Sequence, residues 1–413
     1  MSSKRPARQI ALGALVLTTA LSILYGLHYY IAKRLILDVG LPAPWNEIAL
    51  SGLVILGLSL VAQPIFERWV RPPYARAIAW PASLWMGFAF LLLVGLAATD
   101  AALWLSGGVA RAAGANPDLG GSATGIRAAL VSLLAFGAGC WGVRAGLAPP
   151  AWVRQEFCLD RWPRSLDGFR IVQMSDIHIG PILGRTFAER LVARVNDCSP
   201  DLIVITGDLV DGGVRQLRDE VAPFSELRAR HGVYFVTGNH DHYSGAHSWC
   251  EQAEALGMRV LRNSRTAIER DGAVFDLVGV DDHRGSHIGE DGREDLDAAL
   301  GGRDESRAAV LLAHDPSTFK RASRMGIDLQ LSGHTHGGQI WPFAFLVRLA
   351  IPFVAGRYQR HGAELYVSRG TGFWGPPMRL LAPSEITEIT LRSGTPTGAS
   401  RPESRPVERS RTA

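Results

Sequence analysis

Cysteine is scarce in this chain of 413 residues, and its spacing fits neither a metal finger nor a disulfide framework. The four cysteines stand singly, at Cys140, Cys158, Cys198 and Cys250. This spacing indicates inert thiols in a reducing compartment. A Walker loop and a Cys-x5-Arg loop are also absent from the sequence. These absences exclude P-loop nucleotide hydrolysis and phosphoryl transfer to a cysteine nucleophile.

Concentrated positive charge is missing as well. The chain has 43 Lys and Arg against 39 Asp and Glu, a formal net charge of +4, and its densest basic stretch is the C-terminal tail. We find no basic groove lined with aromatic residues, of the kind that binds single-stranded nucleic acid. Scattered charges are typical of a solvated surface, so we predict that nucleic acid is not a partner.

Charged residues are absent from three long apolar runs, each about as long as the roughly 20 residues that cross a bilayer core. A fourth run, rich in Gly and Ala, begins just after Arg127. The four candidate membrane helices cover residues 9–32, 48–66, 77–98 and 128–147. Buried core helices are the alternative, but four such runs separated by short charged loops argue against it. The first run is too long for a cleavable signal peptide.

The basic residues between these runs predict the orientation in the membrane. They concentrate before the first run, between the second and third, and after the fourth, at Lys4, Arg5, Arg8, Arg68, Arg71, Arg76, Arg144, Arg154, Arg161 and Arg164. The other connections offer only Lys33, Arg34 and Arg111. The bias puts both chain ends on the cytoplasmic side, as in a multi-pass protein of a bacterial inner membrane. An odd number of spans would reverse this orientation.

After the apolar runs, the chain changes to the alternating pattern of an α/β protein. Strands are predicted at 170–174, 202–206, 233–237, 259–261, 266–268, 273–280, 309–313 and 328–331, and helices at 185–196, 214–230 and 245–256. Their spacing predicts a double-sheet sandwich flanked by helices (αββα). We expect a membrane domain at 1–147, an interfacial linker with an edge strand at 148–167, the sandwich at 168–392 and a disordered tail at 393–413.

Five short polar segments follow or close the predicted strands. They are Asp176-Ile177-His178, Gly207-Asp208-Leu209-Val210-Asp211, Gly238-Asn239-His240-Asp241, His314 and Gly333-His334-Thr335-His336. Strand ends that meet at one rim would gather four histidines, two aspartates and an asparagine. This set suits two divalent metals of the Mn, Fe or Zn type and needs no thiolate. An isolated Asp-x-His is more often a capping pair, whereas Gly-Asn-His-Asp after a strand is rarely a mere turn.

The ordered motifs resemble the calcineurin-like metallophosphoesterase superfamily over residues 168–391. Segments 313–316 and 331–339 are similar to a branch of bacterial, often membrane-anchored phosphoesterases. The resemblance implies a pair of mixed sheets flanked by helices. It implies that one metal is held by Asp176, His178 and His336, that the other is held by Asn239, His314 and His334, and that Asp208 bridges both. It also implies that His240 stands off the metals, with Asp241 as its orienting partner.

The activity implied by the resemblance is hydrolysis of a phosphodiester or pyrophosphate. Two dications would lower the pKa of a shared water and neutralise the phosphoryl oxygens, while His240 protonates the departing oxygen. The residues after Asp208 and His240 differ from those of the serine/threonine phosphatases, which argues against a phosphoprotein substrate. Asp211 stands where purple acid phosphatases have a tyrosine ligand, so we expect no tyrosinate-bound ferric site.

The apolar segment 341–358 directly follows the last histidine motif. It is either a buried loop with a short helix or an amphipathic lid in the membrane interface. A lid would give a lipid-linked phosphate access to the metals, and some relatives in the branch resemble enzymes that cleave the pyrophosphate of UDP-diacylglucosamine. Asp281, Asp282 and His283 end another strand, where ordinary turn residues are the simpler interpretation.

Two other functions stay open. One is a nucleotide or cyclic-nucleotide phosphodiesterase, and the other is a non-catalytic membrane scaffold that keeps the metal-binding fold. The intact His240 favours an enzyme, since a scaffold needs no general acid.

Overall fold

Four long apolar helices form the N-terminal third of the chain. They are α1 (Lys4–Ala32), α2 (Trp45–Trp69), α3 (Pro72–Ala112) and α4 (Gly121–Gly146). The computed structural model describes residues 4–113, 121–283 and 292–394, so the predicted tail lies outside the described residues from position 395 onward. By length and composition, each helix can cross a membrane. At about 1.5 Å per residue, the 41 residues of α3 extend roughly 60 Å, twice the bilayer core.

The first of two six-stranded sheets is mostly parallel. Its strands are β1 (Ala151–Leu159), β2 (Phe169–Met174), β3 (Leu202–Thr206), β4 (Val233–Val236), β5 (Arg259–Val260) and β12 (Glu385–Ser393). Their order is β1-β12-β2-β3-β4-β5. Strands β2 to β5 run parallel, and β12 runs antiparallel to β2. The central strand β3 is buried along its whole length, which explains why its sequence is a continuous apolar run up to its threonine.

The second sheet is mixed. Its strands are β6 (Ser264–Arg270), β7 (Ala273–Gly279), β8 (Ala309–Leu312), β9 (Leu329–Ser332), β10 (Gly356–Arg360) and β11 (Ala363–Val367). Their order is β10-β11-β9-β8-β7-β6. The remaining helices are α5 (Arg185–Asp197), α6 (Val214–Val221), α7 (Asn239–Tyr243), α8 (Ala246–Ala255), α9 (Leu296–Leu300), α10 (Phe319–Ala322) and α11 (Phe343–Ala350). The two mixed sheets and their helices confirm the predicted αββα class.

One apolar layer joins the two sheets. Ile171, Val204 and Tyr234 contribute to it from the first sheet, and Phe275 and Leu331 from the second, all of them buried. Helices α5, α6 and α8 pack on the other face of the first sheet, and α9 and α10 on that of the second. Burying one such side chain contributes about 1.5–3 kcal/mol. The strand ends that carry the polar motifs therefore stand on a well-packed frame.

The helix predicted over residues 214–230 is shorter in the structure. Helix α6 ends at Val221, and the chain continues as a 3-10 helix over Ala222–Glu226. Pro223 explains the change, because proline has no amide hydrogen and cannot join the hydrogen-bond ladder of a helix interior.

The apolar segment 341–358 divides into an exposed helix and a buried loop. No residue of α11 is buried, and Leu349 is 85% exposed. Phe343 meets Phe90 of α3 edge to face, with ring centroids 5.9 Å apart. Phe353 and Val354, in the loop after α11, are buried. The segment thus contains the short helix and the buried loop of the first interpretation, and the helix itself is exposed and lies beside α3.

The loop at 376–380 packs against the ends of the membrane helices. The Arg379 amide donates a hydrogen bond of 2.9 Å to the Gly142 carbonyl of α4. A Cβ atom on Gly146 would lie 2.7 Å from the Pro377 carbonyl oxygen, which is closer than real Cβ atoms approach. The close approach of this loop to α4 therefore depends on glycine.

The last turn of α2 and the first turns of α3, on either side of their short connection, also contact the two-sheet part. Gln216 donates a hydrogen bond of 3.0 Å to the Arg68 carbonyl, and Arg76 Nε donates one of 2.5 Å to the Pro181 carbonyl. The basic α2–α3 connection therefore faces the C-terminal part of the chain.

Candidate metal centre

The predicted metal ligands follow five strands whose carboxyl ends lie at one rim. Asp176 and His178 follow β2, Asp208 follows β3, Asn239 begins α7 after β4, His314 follows β8, and His334 and His336 follow β9. The carboxyl ends of parallel strands are where open α/β sheets place their functional groups. The structure brings all seven residues to this rim.

One half of the site consists of Asp176, His178 and His336. A ligand atom from each lies within 4.8 Å of the others, and all three residues are buried. The Nε2 atoms of His178 and His336 are 3.1 Å apart, and His336 Nε2 is 3.4 Å from Asp176 Oδ1. We call this group the first half.

The second half contains His314 and His334, which gather with Asp208, and Asn239 is the further ligand that the sequence predicts for it. His314 Nε2 lies 3.1 Å from His334 Nδ1 and 3.2 Å from Asp208 Oδ2. His178 Nε2 lies 3.7 Å from the same Asp208 oxygen, so this carboxylate stands between the halves. Asn239 Oδ1 is buried and, among the described residues, has no hydrogen-bond partner. An unpaired buried acceptor is expected where a cation completes the site.

The backbone is strained at five of the seven predicted ligands. The φ angles are +52° at Asp176, +52° at His178, +53° at Asp208, +73° at His334 and +51° at His336. Residues other than glycine rarely adopt this left-handed conformation, which costs of order 1–3 kcal/mol each. Such strain persists where the surrounding structure enforces it, and it clusters at functional sites.

Two glycines let these ligand loops approach one another. A Cβ atom on Gly238 would lie 2.5 Å from the Asp208 amide nitrogen, and one on Gly333 would lie 2.9 Å from Ser175 Cβ. Both contacts would push the ligand loops apart. The glycines of the Gly-Asn-His-Asp and Gly-His-Thr-His motifs are therefore required for close packing.

Hydrogen bonds orient the imidazoles so that their free nitrogens face the cluster. His314 Nδ1 lies 2.8 Å from the Thr206 carbonyl, which only accepts, so Nδ1 carries a proton and Nε2 is the nitrogen that faces the cluster. His178 Nδ1 lies 2.9 Å from Asp211 Oδ1, so its Nε2 also faces the cluster. Imidazole nitrogens and carboxylates thus converge in a buried space, which fits divalent cations, since a cation displaces any proton on Nε2.

Arg379 supports the first half from behind. It is 1% exposed, and its guanidinium donates to the carbonyls of His336 and Arg369 over 2.9 and 2.7 Å. Its Nη2 lies 3.1 Å from His336 Nδ1. Because a guanidinium only donates, Nδ1 accepts and the proton of the neutral ring lies on Nε2, where a cation would replace it. No sequence motif predicted a role for Arg379, which stands 43 positions after His336.

The partner of His240 is Asp211, which corrects the assignment of Asp241. His240 Nδ1 lies 2.7 Å from Asp211 Oδ1. Asp241 is fully buried and instead accepts hydrogen bonds from the backbone amides of Asp208, Leu209 and Gly238, over 2.8 to 2.9 Å. Its carboxylate therefore ties two ligand loops together. Asp211 contacts both His178 and His240, and its position three residues after Asp208 was the available signal.

Electrostatic interactions shift the acid–base behaviour of the cluster. Burial opposes ionisation of Asp208, yet His314 holds the pKa of Asp208 well below its usual range. Burial alone would lower the pKa of His240, but Asp208 and Asp211 raise it to about 9. Burial, with Asp208 nearby, raises the pKa of Asp241 to about 7. Burial, followed by the charge of Arg379, lowers the pKa of His336 and keeps its ring neutral, as ligation requires.

The strand-end residues Asp281 to His283 lie next to the second half. Asp281 Oδ1 accepts hydrogen bonds of 3.0 Å from both Thr237 Oγ1 and Arg262 Nε. His283 Nε2 lies 3.9 Å from Asp315 Oδ2, an atom that is also 3.8 Å from His334 Nε2. Asp281 thus has the structural role that the sequence suggested.

A cavity of about 710 Å³ lies between the metal centre and the membrane helices. His178, Asp211 and His240 line one wall. The opposite wall comes from α2 and α3, through Leu60, Gln63, Pro64, Glu67, Arg68, Trp69, Ser83 and Met86. The cavity is therefore shared between the two parts of the chain.

The two-sheet fold and the cluster of aspartates and histidines are those of a metallophosphoesterase domain. The chain belongs to the calcineurin-like phosphoesterase family, whose profile matches residues 169–338. Members of this family typically bind two divalent metals, and the residues gathered here fit that number.

Relatives with similar sequences occur in animals and bacteria. A transmembrane protein with metallophosphoesterase domain from Danio rerio is 39% identical over 260 residues, which cover 61% of this chain and 60% of that protein. An uncharacterized metallophosphoesterase of Bacillus subtilis is 34% identical over 240 residues, which cover 56% of this chain and 82% of that protein. A third, from Helicobacter pylori, is 37% identical over 252 residues, covering 60% of this chain and 66% of that protein. The match thus spans about 60% of the Danio rerio relative.

Proposed function

We propose that this protein hydrolyses a phosphodiester or pyrophosphate carried by a membrane lipid. The supporting observation is the cavity between the metal centre and helices α2 and α3. A lipid whose tail lies among the helices places its phosphate at His178 and His240 without leaving the bilayer. The exposed apolar helix α11, beside α3, extends the lipid-facing surface. A nucleotide-linked lipid such as UDP-diacylglucosamine belongs to this substrate class.

The proposed cofactors are two divalent cations of the Mn, Fe or Zn type. The first would be held by Asp176, His178 and His336, the second by Asn239, His314 and His334, and Asp208 would contact both. When bound, the cations supply Lewis-acid chemistry, which activates water and neutralises the phosphoryl oxygens.

The chain itself supplies the proton for the leaving group. Asp211 accepts a hydrogen bond from Nδ1–H of His240, which fixes the ring and leaves Nε2–H for the substrate. As water adds to phosphorus and the ester or anhydride bond breaks, the departing oxygen takes this proton. Asp211 also orients His178, so one carboxylate aligns the proton donor with the first half of the metal centre.

The C-terminal part is proposed to lie on the cytoplasmic side of the membrane. Its contacts with Arg68 and Arg76 put it beside the basic α2–α3 connection, and basic connections favour the cytoplasm. Protease added to inside-out vesicles should digest the C-terminal part, and right-side-out vesicles should protect it. The reverse pattern would show that the orientation is opposite.

The activity is tested on the full-length protein in lipid nanodiscs supplied with manganese. We expect cleavage of bis(4-nitrophenyl) phosphate, a smaller rate on 4-nitrophenyl phosphate, and no cleavage by Asp208→Asn. A diacyl phosphodiester should be cleaved with kcat/KM about tenfold above a water-soluble diester with the same headgroup, since apolar contacts of the tail add binding energy.

The controls separate the alternative functions. Equal kcat/KM for lipid and soluble diesters would contradict a membrane-borne substrate, and preference for a cyclic nucleotide would indicate a nucleotide phosphodiesterase. Two bound metals without turnover of any ester would leave the membrane scaffold as the remaining function.

A further inference from the structure

Two aromatic side chains stand beside His240 in the wall of the cavity. The ring centroids of Tyr243 and Trp374 lie 5.3 and 5.6 Å from the centroid of the His240 ring. Both residues line the cavity, and they are 57% and 49% exposed. Large aromatic rings gain much from burial, so two accessible rings beside the proposed proton donor offer a contact surface for a ligand.

The backbone of Trp374 is held by the side chain of Gln339. Gln339 Nε2 donates hydrogen bonds to the carbonyls of Trp374 and Pro376 over 2.8 and 3.1 Å, and its Oε1 accepts from the Trp374 amide over 3.0 Å. Gln339 is 8% exposed, and its φ of +51° is rare for a residue other than glycine. This carboxamide fixes the backbone of Trp374 and leaves the indole ring accessible in the cavity.

The loop that carries Trp374 is held from two sides. The Gly372 amide donates a hydrogen bond of 2.9 Å to the Asp176 carbonyl, in the first half of the metal centre. A Cβ atom on Gly375 would lie 3.3 Å from Met86 Sδ of α3, so the loop also packs on a membrane helix. The position of Trp374 relative to His240 is therefore set by the same frame that sets the metal ligands.

The direction of hydrolysis determines which part of the substrate meets this ring. In the proposed function, water adds to phosphorus and the departing oxygen takes its proton from His240. The group bonded to that oxygen therefore lies beside His240, while the lipid tail lies along α2 and α3. The indole of Trp374 is flat, rigid and apolar on its faces, with a polar N–H at its edge. A ring with an apolar face and a polar edge complements it better than a flexible chain does.

We propose that Trp374 is a specificity-determining residue that stacks on a ring of the leaving group, and that Gln339 is the positioning residue that holds it there. This inference rests on the proposed function and names the chemistry of the leaving group. That group is an alcohol with a sugar or nucleobase ring, and the lipid keeps the phosphate.

The test uses the full-length protein in nanodiscs with manganese and three phosphodiesters that share one diacylglycerol. Their headgroups are uridine and methyl riboside, each joined through its primary hydroxyl, and 2-methoxyethanol. All three leave as primary alcohols with an oxygen on the next carbon, which matches the acidity of the departing oxygen. We expect kcat/KM about tenfold higher for uridine than for 2-methoxyethanol, the gain from one stacked ring. A riboside equal to uridine assigns the contact to the sugar, and one equal to 2-methoxyethanol assigns it to the base.

The variants are compared by the ratio of kcat/KM for uridine to that for 2-methoxyethanol, which cancels any loss that all substrates share. Trp374→Leu should reduce the ratio from about ten to about one, and Trp374→Phe should keep most of it. Gln339→Met removes the hydrogen bonds to the Trp374 backbone and should lower the ratio to about three. Trp341→Leu is the control and should keep the full ratio, because Trp341 is also 49% exposed and, within the described part of the chain, is not among the residues that line the cavity.

The products, identified by mass spectrometry, test the placement of the leaving group. Free uridine with phosphatidic acid is expected. Uridine monophosphate with diacylglycerol would put the tail beside His240 and overturn the inference.

The remaining outcomes distinguish this inference from the proposed function itself. Equal kcat/KM for all three diesters, or an unchanged ratio in Trp374→Leu, would overturn the role of Trp374 while leaving the lipid phosphoesterase intact. An equal loss on all three diesters in Gln339→Met would overturn the positioning role of Gln339. No manganese-dependent cleavage of any diester, bis(4-nitrophenyl) phosphate included, would overturn both the inference and the proposed function.

Discussion

The two halves of the candidate metal centre contain similar side chains, which different parts of the molecule support. In the second half, His314 is oriented by the backbone carbonyl of Thr206, at the end of the central strand β3. In the first half, His178 and His336 are oriented by the charged side chains of Asp211 and Arg379. The Asp208 carboxylate stands between the two halves.

This difference shows how each half depends on the rest of the molecule. The second half is built from the sheet frame, whose strands are buried and hydrogen-bonded along their length. The first half depends on Arg379, whose loop packs on α4, and on Asp211, which lines the cavity. Changes in the membrane helices should therefore reach the first half before the second.

Removing Asp208, the carboxylate between the halves, should affect both halves of the candidate metal centre. In Asp208→Asn, both halves lose the ligand between them, and we expect activity to fall by about a thousandfold or more. Metal content per protein, measured by mass spectrometry after dialysis, should fall from about two to below one. Retention of both metals in the variant would show that Asp208 does not bridge them.

Removing Arg379 should empty the first half selectively. Arg379→Met leaves buried carbonyls without donors, at roughly 1–3 kcal/mol each, so unfolding free energy should fall by about 3 kcal/mol or more. Metal content should drop from about two ions to one, with the second half retained. Arg161→Met is the control for the loss of a multiply bonded arginine, because Arg161 donates to the carbonyls of Glu305 and Gly326 and to the Asp328 carboxylate, at the opposite end of β9 from the site. Loss of both metals in Arg379→Met would contradict separate support of the halves.

Matched changes at Asp211 and Asp315 test whether the carboxylate beside the first half matters more for activity than the carboxylate beside the second half. Asp211→Asn removes the charge beside both His178 and His240, and kcat should fall by about 100-fold. Asp315 lies 3.8 Å from His334 in the second half and accepts from the Ser317 amide, so Asp315→Asn should lower kcat by less than about fivefold. Steady-state kinetics with one diester substrate measure kcat for both variants. Equal losses would mean that the two carboxylates play equivalent roles.

The smallest effect is expected from a methyl group on α4. Gly146→Ala pushes on the Pro377 carbonyl and shifts the loop that carries Arg379, which should weaken metal affinity of the first half by about threefold. Gly137→Ala is the control, because a Cβ there meets nothing within 4 Å. Titration of the metal-depleted protein with manganese measures both sites. A lower manganese affinity at the second half, with that of the first half unchanged, would contradict the greater dependence of the first half on α4.

The sequence predicted the buried parts of the fold best. Both ends of the strand Leu202–Thr206 were predicted correctly, because a strand that is buried on both faces has a continuous apolar sequence. The pairing of β1 with β12 joins residues more than 200 positions apart, such as Ala151 and Glu385, and no local pattern encodes it. Strands β10 to β12 were not predicted at all.

The site was predictable where each residue belongs to a motif, and not where it depends on distant contacts. The seven predicted ligands all follow strand ends, four of them directly beside a glycine, and the structure brings them to one rim. The partner of His240 was misassigned because Asp241 is its chain neighbour, whereas Asp211 reaches it only after folding. Arg379 follows no pattern, since its role is set by the loop at 376–380.

The packing of that loop on α4 has a consequence for how the protein is made. Helices α1 to α4 leave the ribosome first, and Arg379 is synthesised more than 200 residues later. The loop that holds Arg379 against the first half therefore packs on a helix that is made long before it. We expect a chain in which α4 is not in place to keep its second-half side chains in position and to lose the support of the first half.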